Sequence, residues 1–225
     1  MDIQDRPSPN FNDRPEDTGV DMVVLHYTGM PSGGAALDRM CDPAAKVSAH
    51  YMIDEDGTVY RLVAEDKRAW HAGVSCWQGA TDINDRSVGI EIVNPGHEFG
   101  YRPFPEPQMA AVESLLGDIV ARHGIAPARV VGHSDIAPAR KQDPGELFGW
   151  QRLAATGLAI WPDTAADPVA PADVPDTLAA IGYDPDAPLA DAITAFQRRF
   201  VPHAVSGEAD FRTRAMIAAV AAIKS

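Results

Sequence analysis

Two histidines and an aspartate stand where they could share one ion. His26 closes the apolar run Met22-Val-Val-Leu25, His133 closes the run Arg129-Val-Val-Gly132, and Asp143 follows in a loop containing Pro138 and Pro144. Two imidazoles and one carboxylate are a normal donor set for a catalytic zinc, which keeps its fourth tetrahedral position for water. Iron or manganese would accept the same nitrogen and oxygen atoms, but manganese prefers an octahedral, oxygen-rich set, so Zn2+ is the expected ion. A structural site would usually be closed by thiolates, and Cys41 and Cys76 fit no C-x-x-C spacing and read as buried thiols. Taken singly each histidine is a weak signal, because imidazole also serves as a satisfied core group. The weight lies in the combination.

Hydrolysis at such an ion needs a base for the water and a cation or donor for the developing oxyanion. Glu91, a charge inside the apolar run Ser87-Val-Gly-Ile-Glu-Ile-Val93, suits the first task, and Lys141 suits the second. Residues two apart in extended chain project to one side, so Lys141 and Asp143 can face the ion together. The bland alternatives are an exposed carboxylate on a half-buried strand and a solvated surface ammonium.

These side chains need elements to deliver them. Met22 to Leu25 reads as a buried strand with His26 at its C-terminal end. Val47 to Ile53 and Thr58 to Leu62 read as a hairpin, because Asp56-Gly57 supplies the positive φ that a tight turn needs. In Ser87 to Val93, Val88, Ile90 and Ile92 fall on one face and Ser87, Gly89, Glu91 and Val93 on the other. Pro105 to His123 carries a helical stripe of Met109, Val112, Leu115, Leu116 and Ile119, with Gly124 as its stop. The expected class is α/β, a mixed central β-sheet flanked by helices with the site at strand ends.

Residues 162–173 turn to Pro, Ala and Asp, the composition of an extended linker. Beyond them Val174 to Ile181, Leu189 to Phe200 and Phe211 to Ile223 read as three helices. The expected organisation is a catalytic domain over 1–161, a linker over 162–173 and a small C-terminal three-helix domain over 174–225.

A net charge of −13 over 225 residues argues against nucleic acid or anionic lipid as a general partner. No apolar run approaches the ~20 residues that span a bilayer, so membrane insertion is not expected. The first twenty residues are polar and lack an apolar leader core, which points to the cytoplasm; a trimmed start would leave the periplasm or cell envelope open.

The chain also resembles a known family, the N-acetylmuramoyl-L-alanine amidases that share a fold with phage lysozyme-amidases and animal peptidoglycan recognition proteins. The resemblance runs through Val24-Leu-His-Tyr-Thr28, Val47-Ser-Ala-His-Tyr-Met-Ile53, Ala69-Trp-His-Ala-Gly73, Asn84, Ser87-Val-Gly-Ile-Glu-Ile92, Gly132-His-Ser-Asp-Ile-Ala-Pro138 and Arg140-Lys-Gln-Asp-Pro-Gly145. It implies His26, His133 and Asp143 as zinc ligands, Glu91 as general base and Lys141 as the oxyanion-stabilising residue, in agreement with the reading from the residues. Ala139 departs from the glycine often found there. His50, Trp70, His71 and Asn84 lie in family-like motifs and are expected to shape the sugar and peptide cleft. For His50 and His71 the competing reading is a histidine that hydrogen-bonds behind the ligands or in the core. The expected reaction is hydrolysis of the lactyl amide between (anhydro-)N-acetylmuramic acid and L-alanine. Its partners would be peptidoglycan fragments (anhydromuropeptides) in recycling, or intact peptidoglycan. A non-catalytic peptidoglycan receptor would need the cleft but neither ion nor base. Ala195-Phe-Gln-Arg-Arg-Phe200 with Gly207-Glu-Ala-Asp210 is similar to a three-helix peptidoglycan-binding module.

Overall fold

The computed structural model describes residues 2–164 and 166–224. Met1, Ala165 and Ser225, which fall in the expected catalytic domain, linker and helical domain, lie outside the described residues. The first half of the chain runs β1 (Ile3–Asp5), β2 (Phe11–Asp13), β3 (Met22–Tyr27), α1 (Gly33–Cys41), β4 (Tyr51–Ile53), β5 (Val59–Arg61), β6 (Lys67–Ala69), β7 (Cys76–Trp77) and β8 (Ala80–Thr81). The second half runs β9 (Ser87–Ile92), α2 (Gly96–Phe99), α3 (Glu106–His123), β10 (Val130–Gly132), α4 (His133–Ile136), α5 (Trp150–Ala155), α6 (Val174–Ile181), α7 (Leu189–Phe200) and α8 (Phe211–Lys224).

A mixed six-stranded sheet of order β1-β5-β4-β9-β3-β10 is the centre, and β3 pairs in parallel with both β9 and β10. The β4–β5 pair is the expected hairpin, with Gly57 at φ 89° in its turn. Its strands are shorter than expected. Residues 47–50 run outside the ladder because the His50 side chain and backbone both bond across to Gly89.

Strand alternation divides the core in two. Val23, Leu25, Val88, Ile90 and Ile92 face α3, where Met109, Val112, Leu115, Leu116 and Ile119 form the predicted stripe. Met22, Val24 and Val131 face the other way and join one continuous core with Val174, Leu178, Ile181, Ile193, Phe196, Phe200 and Ile217 of the C-terminal helices. The three helices form where their periodicity predicts them, and they lie directly against the sheet face.

Two features had no sequence signal. The polar N-terminal segment supplies β1 and β2, and Arg14 donates to the carbonyls of Glu65, Asn84, Asp85 and Ser87, pinning that segment to the β5–β6 loop and to the chain entering β9. α1 packs Ala36, Leu37 and Met40 against Met52, Leu62 and Val93. Cys41 and Cys76 are free thiols, each partly buried. Among the described residues no helix is long and apolar enough to cross a membrane.

A shared core implies shared cooperativity. Phe196 is fully buried, so Phe196→Ala should cost about 3–5 kcal/mol through the cavity it leaves and should lower one thermal transition of the whole chain. Calorimetry that resolved a separate early transition, leaving the sheet's own melting untouched, would contradict this packing.

Candidate active site

The period of two that sends Met22 and Val24 toward the C-terminal helices sends His26 to the same face. It places His133 beyond Val131 likewise. In the β3–β9 register His26 lies directly opposite Glu91, so an imidazole and a carboxylate meet at neighbouring C-terminal strand ends. α4 begins at His133, and the loop that follows it returns Asp143, whose carbonyl accepts from the Ser134 N–H at 2.9 Å.

His26 Nδ1, His133 Nδ1 and Asp143 Oδ2 converge, with separations of 2.9, 3.0 and 3.1 Å. Their outer hydrogen bonds decide where the protons are. His133 Nε2 lies 3.0 Å from the Ala72 carbonyl, which can only accept, so Nε2 carries the proton and Nδ1 presents a bare lone pair. For His26 the chain is longer. The Ser87 hydroxyl donates to the Ile83 carbonyl and therefore accepts from His71 Nε2; His71 Nδ1 then accepts from His26 Nε2 at 3.1 Å. His26 Nδ1 is bare in turn. Three acceptor atoms thus face one another with no proton among them, an arrangement that a divalent cation satisfies and that neutral packing does not. The three residues are the metal-capable cluster found among the described residues.

Burial first, then neighbouring His133, holds His26 down to about 4, which keeps its ring neutral and available as a ligand. Burial opposes ionisation of Asp143, and positive charge at the His133 and His26 positions outweighs it, so a cation beside this carboxyl holds it below the usual carboxylate range. Glu91 behaves oppositely. Burial, then the Asp143 carboxylate, raises it well above its ordinary value, with Lys141 opposing. Glu91 Oε2 is buried with no hydrogen-bond partner among the described residues, the condition of a group waiting for something to bond.

A cavity of about 420 Å³ opens over this centre. Glu91, His133, Lys141 and Asp143 line it, with Trp70 and His71 on its wall. Sequence reasoning missed Tyr27, Met40, Arg39 and Arg140, which also line it. The Tyr27 and Arg140 positions lay inside quoted motifs; Arg39 and Met40 arrive on α1, for which no signal had been read.

Two expected cleft residues are elsewhere. His50 and Asn84 are buried and do not line the cavity. His50 Nδ1 accepts from the Gly89 N–H at 2.9 Å and Nε2 reaches the Lys67 carbonyl at 3.0 Å. Asn84 Oδ1 accepts from the backbone N–H groups of His71 and Ala72 at 3.0 and 2.8 Å, fixing the loop on which His133 and His26 lean. Their polar atoms are spent on backbone. His71 has both characters, lining the cavity and backing His26. Gly89 is required beneath it, since a Cβ there would sit 2.5 Å from the His71 ring. Of the other histidines, His97 bonds Tyr27 and Glu146, and His123 bonds Glu65.

The family model described as N-acetylmuramoyl-L-alanine amidase matches residues 15–146. N-acetylmuramoyl-L-alanine amidase AmiD of Escherichia coli is 38% identical over 229 residues, covering 89% of this chain and 82% of that protein. The 1,6-anhydro-N-acetylmuramyl-L-alanine amidase AmpD of Citrobacter freundii is 37% identical, covering 66% of this chain and 87% of that protein. The solved complex of AmiD from E. coli with anhydro-N-acetylmuramic acid-L-Ala-D-gamma-Glu-L-Lys superposes with a TM-score of 0.81 at 35% identity, covering 94% of this chain and 96% of that one.

Burial of a neutral His50 has a consequence for acid stability. Burial pushes it down to about 3 from an ordinary 6.5, so the unfolded chain binds the extra proton between those values and stability falls as pH drops through that window. Above pH 6.5 the contribution is complete. His50→Gln should be less stable at neutral pH yet show a shallower loss on acidification; denaturant titrations across the window giving equal slopes for both proteins would exclude this role.

Proposed function

The chain belongs to the N-acetylmuramoyl-L-alanine amidase family, and from that premise we propose that it is a zinc enzyme acting on anhydromuropeptides in peptidoglycan recycling. The observation that carries the reading is the convergence of two bare Nδ1 atoms and a carboxylate oxygen beside the unpartnered Glu91 carboxyl, at the floor of an open cavity. A receptor without catalysis has no use for that convergence.

His26, His133 and Asp143 would hold the zinc through Nδ1, Nδ1 and Oδ2. When bound, zinc supplies Lewis acidity to the scissile carbonyl and makes water a nucleophile near neutral pH. Glu91 takes the proton from the attacking water and delivers it to the departing L-alanine nitrogen, which would otherwise leave as a poor amide anion. Its raised affinity for protons suits both halves of that transfer. Lys141 places an ammonium on the cavity wall beside Asp143, where it stabilises the oxyanion.

Fragment substrates are supported by charge and by relatives. In a chain of net charge −13 the cavity balances Glu91, Glu98 and Asp143 with Arg39, Arg140 and Lys141, and these three cations can pair with the carboxylates of a stem peptide. AmpD is named for the 1,6-anhydro sugar, and the AmiD complex holds an anhydromuramyl tripeptide. The recycling reading carries a cytoplasmic placement. A second reading, action on the intact wall in the periplasm or cell envelope, is favoured by the C-terminal helices, which expose Leu189 and Phe211 and could serve as a peptidoglycan-binding module.

Zinc-loaded and chelated protein should be compared on soluble anhydromuramyl-tripeptide and on sacculi, with products identified by mass. The expectation is zinc-dependent release of peptide beginning at L-alanine, faster from the soluble substrate; release from sacculi alone would overturn the recycling role, and a new amino terminus elsewhere in the stem would overturn the bond assignment. Glu91→Gln should retain zinc while losing roughly 10²–10⁴-fold in turnover, the usual worth of a positioned acid–base group. Unimpaired turnover in that variant would end Glu91's role as base.

A further inference from the structure

Asp135, two residues beyond His133, is completely buried and belongs neither to the metal-capable cluster nor to the cavity wall. Its carboxylate is nonetheless fully occupied. Oδ2 accepts from the Gly132 N–H at 2.8 Å, which fixes the backbone where β10 turns into α4 and presents His133. The remaining partners come from the C-terminal helices. Arg199 Nη1 of α7 donates to Oδ2 at 2.9 Å, and the Tyr183 hydroxyl, just after α6, donates to Oδ1 at 2.7 Å.

Arg199 is itself an unusual residue to bury. It is 3% exposed, lies over the Trp150 ring at 4.1 Å, and leaves Nε and Nη2 without hydrogen-bond partners among the described residues. A buried ion pair is a poor device for stability compared with apolar packing, and its best-attested use is to fix a specific geometry. The geometry fixed here is that of the Gly132–His133 backbone. Next to it on α7, Arg198 makes a second tie, donating to Gln142 Oε1 at 3.0 Å, beside the ligand Asp143.

We propose that the C-terminal helices are part of the metal centre's support: Arg199 and Tyr183 act as positioning residues that hold Asp135, and through it His133, in the ligating geometry. This rests on the zinc reading above. It assigns α7 a role that neither polymer binding nor simple core packing requires, and it makes zinc affinity sensitive to substitutions that touch no ligand. Outer partners of ligands commonly contribute 10–100-fold to metal affinity.

The test is zinc affinity by chelator competition on the full chain, with melting curves and with kcat and KM on anhydromuramyl-tripeptide. Because removing one member of a buried pair strands a charge, Arg199→Met is made together with Asp135→Asn, and Tyr183→Phe provides a milder variant that keeps the ring. Ile217→Ala on α8, a fully buried position of the same core, is the control, lowering stability within the C-terminal helices without touching Asp135. The double variant should bind zinc roughly 10–100-fold more weakly and lose kcat with KM retained. Tyr183→Phe should move in the same direction by less, Arg199→Lys alone should restore part of the affinity relative to the double variant, and Ile217→Ala should keep zinc. Parental zinc affinity in a folded Tyr183→Phe protein, or an equal loss in Ile217→Ala, overturns the proposal. A parent chain that binds no zinc overturns this proposal and the zinc reading together, whereas variants indistinguishable from a zinc-binding parent overturn this one alone.

Discussion

The structure turns on a local repulsion that the fold keeps in place. Two imidazole nitrogens, bare because the other nitrogen of each ring carries the proton, and a carboxylate oxygen are held about one hydrogen-bond length apart. Left free, at least one ring would turn or take up a proton. Ala72, His71 and Ser87 prevent the turning, and burial prevents the protonation of His26. Nothing in the apolar core favours this arrangement for its own sake, so the free energy that maintains it comes from everything packed around it.

That requirement explains the choice of strands. Parallel β9, β3 and β10 end together, and alternation along each sends one side chain of the required type to a single face. Glu91 gains its high proton affinity from the same placement, being buried opposite His26 and near Asp143. The metal-capable cluster and Glu91 are therefore not independent features. A cation at the convergence point would relieve the repulsion and draw Glu91 toward ionisation, so metal binding, folding and the readiness of the base are linked through one charge.

Residues whose roles rest on alternation or on a turn were legible in the sequence. His26, Glu91 and His133 were found because apolar runs ended at them or enclosed them, and the α3 stripe and the Asp56-Gly57 turn behave as read. Residues whose roles rest on distant backbone were not. His50 and Asn84 look like cleft residues in sequence because polar types in recognisable motifs suggest substrate, but their atoms pair with N–H and C=O groups that only the tertiary structure brings near. Arg14 is the same case in a stretch too polar to suggest any burial. The helical stripes of the last fifty residues gave their positions and left open the surface they would meet.

That surface is the face of the sheet opposite α3, the same face to which His26 and Glu91 point at their strand ends. Met22, Val24 and Val131 present an apolar face that must be covered, since contiguous exposed patches of that kind are not tolerated on a soluble domain. α6, α7 and α8 cover it. Once the helices are seated there, α7 runs beneath β10 and α4, which puts Arg199 within reach of Asp135 with no further adjustment. Covering the core and holding the backbone that presents His133 then become one act of packing. If these helices loosened, the Asp135 carboxylate would lose the donors from Tyr183 and Arg199, and the turn from β10 into α4 would lose the support it has through them.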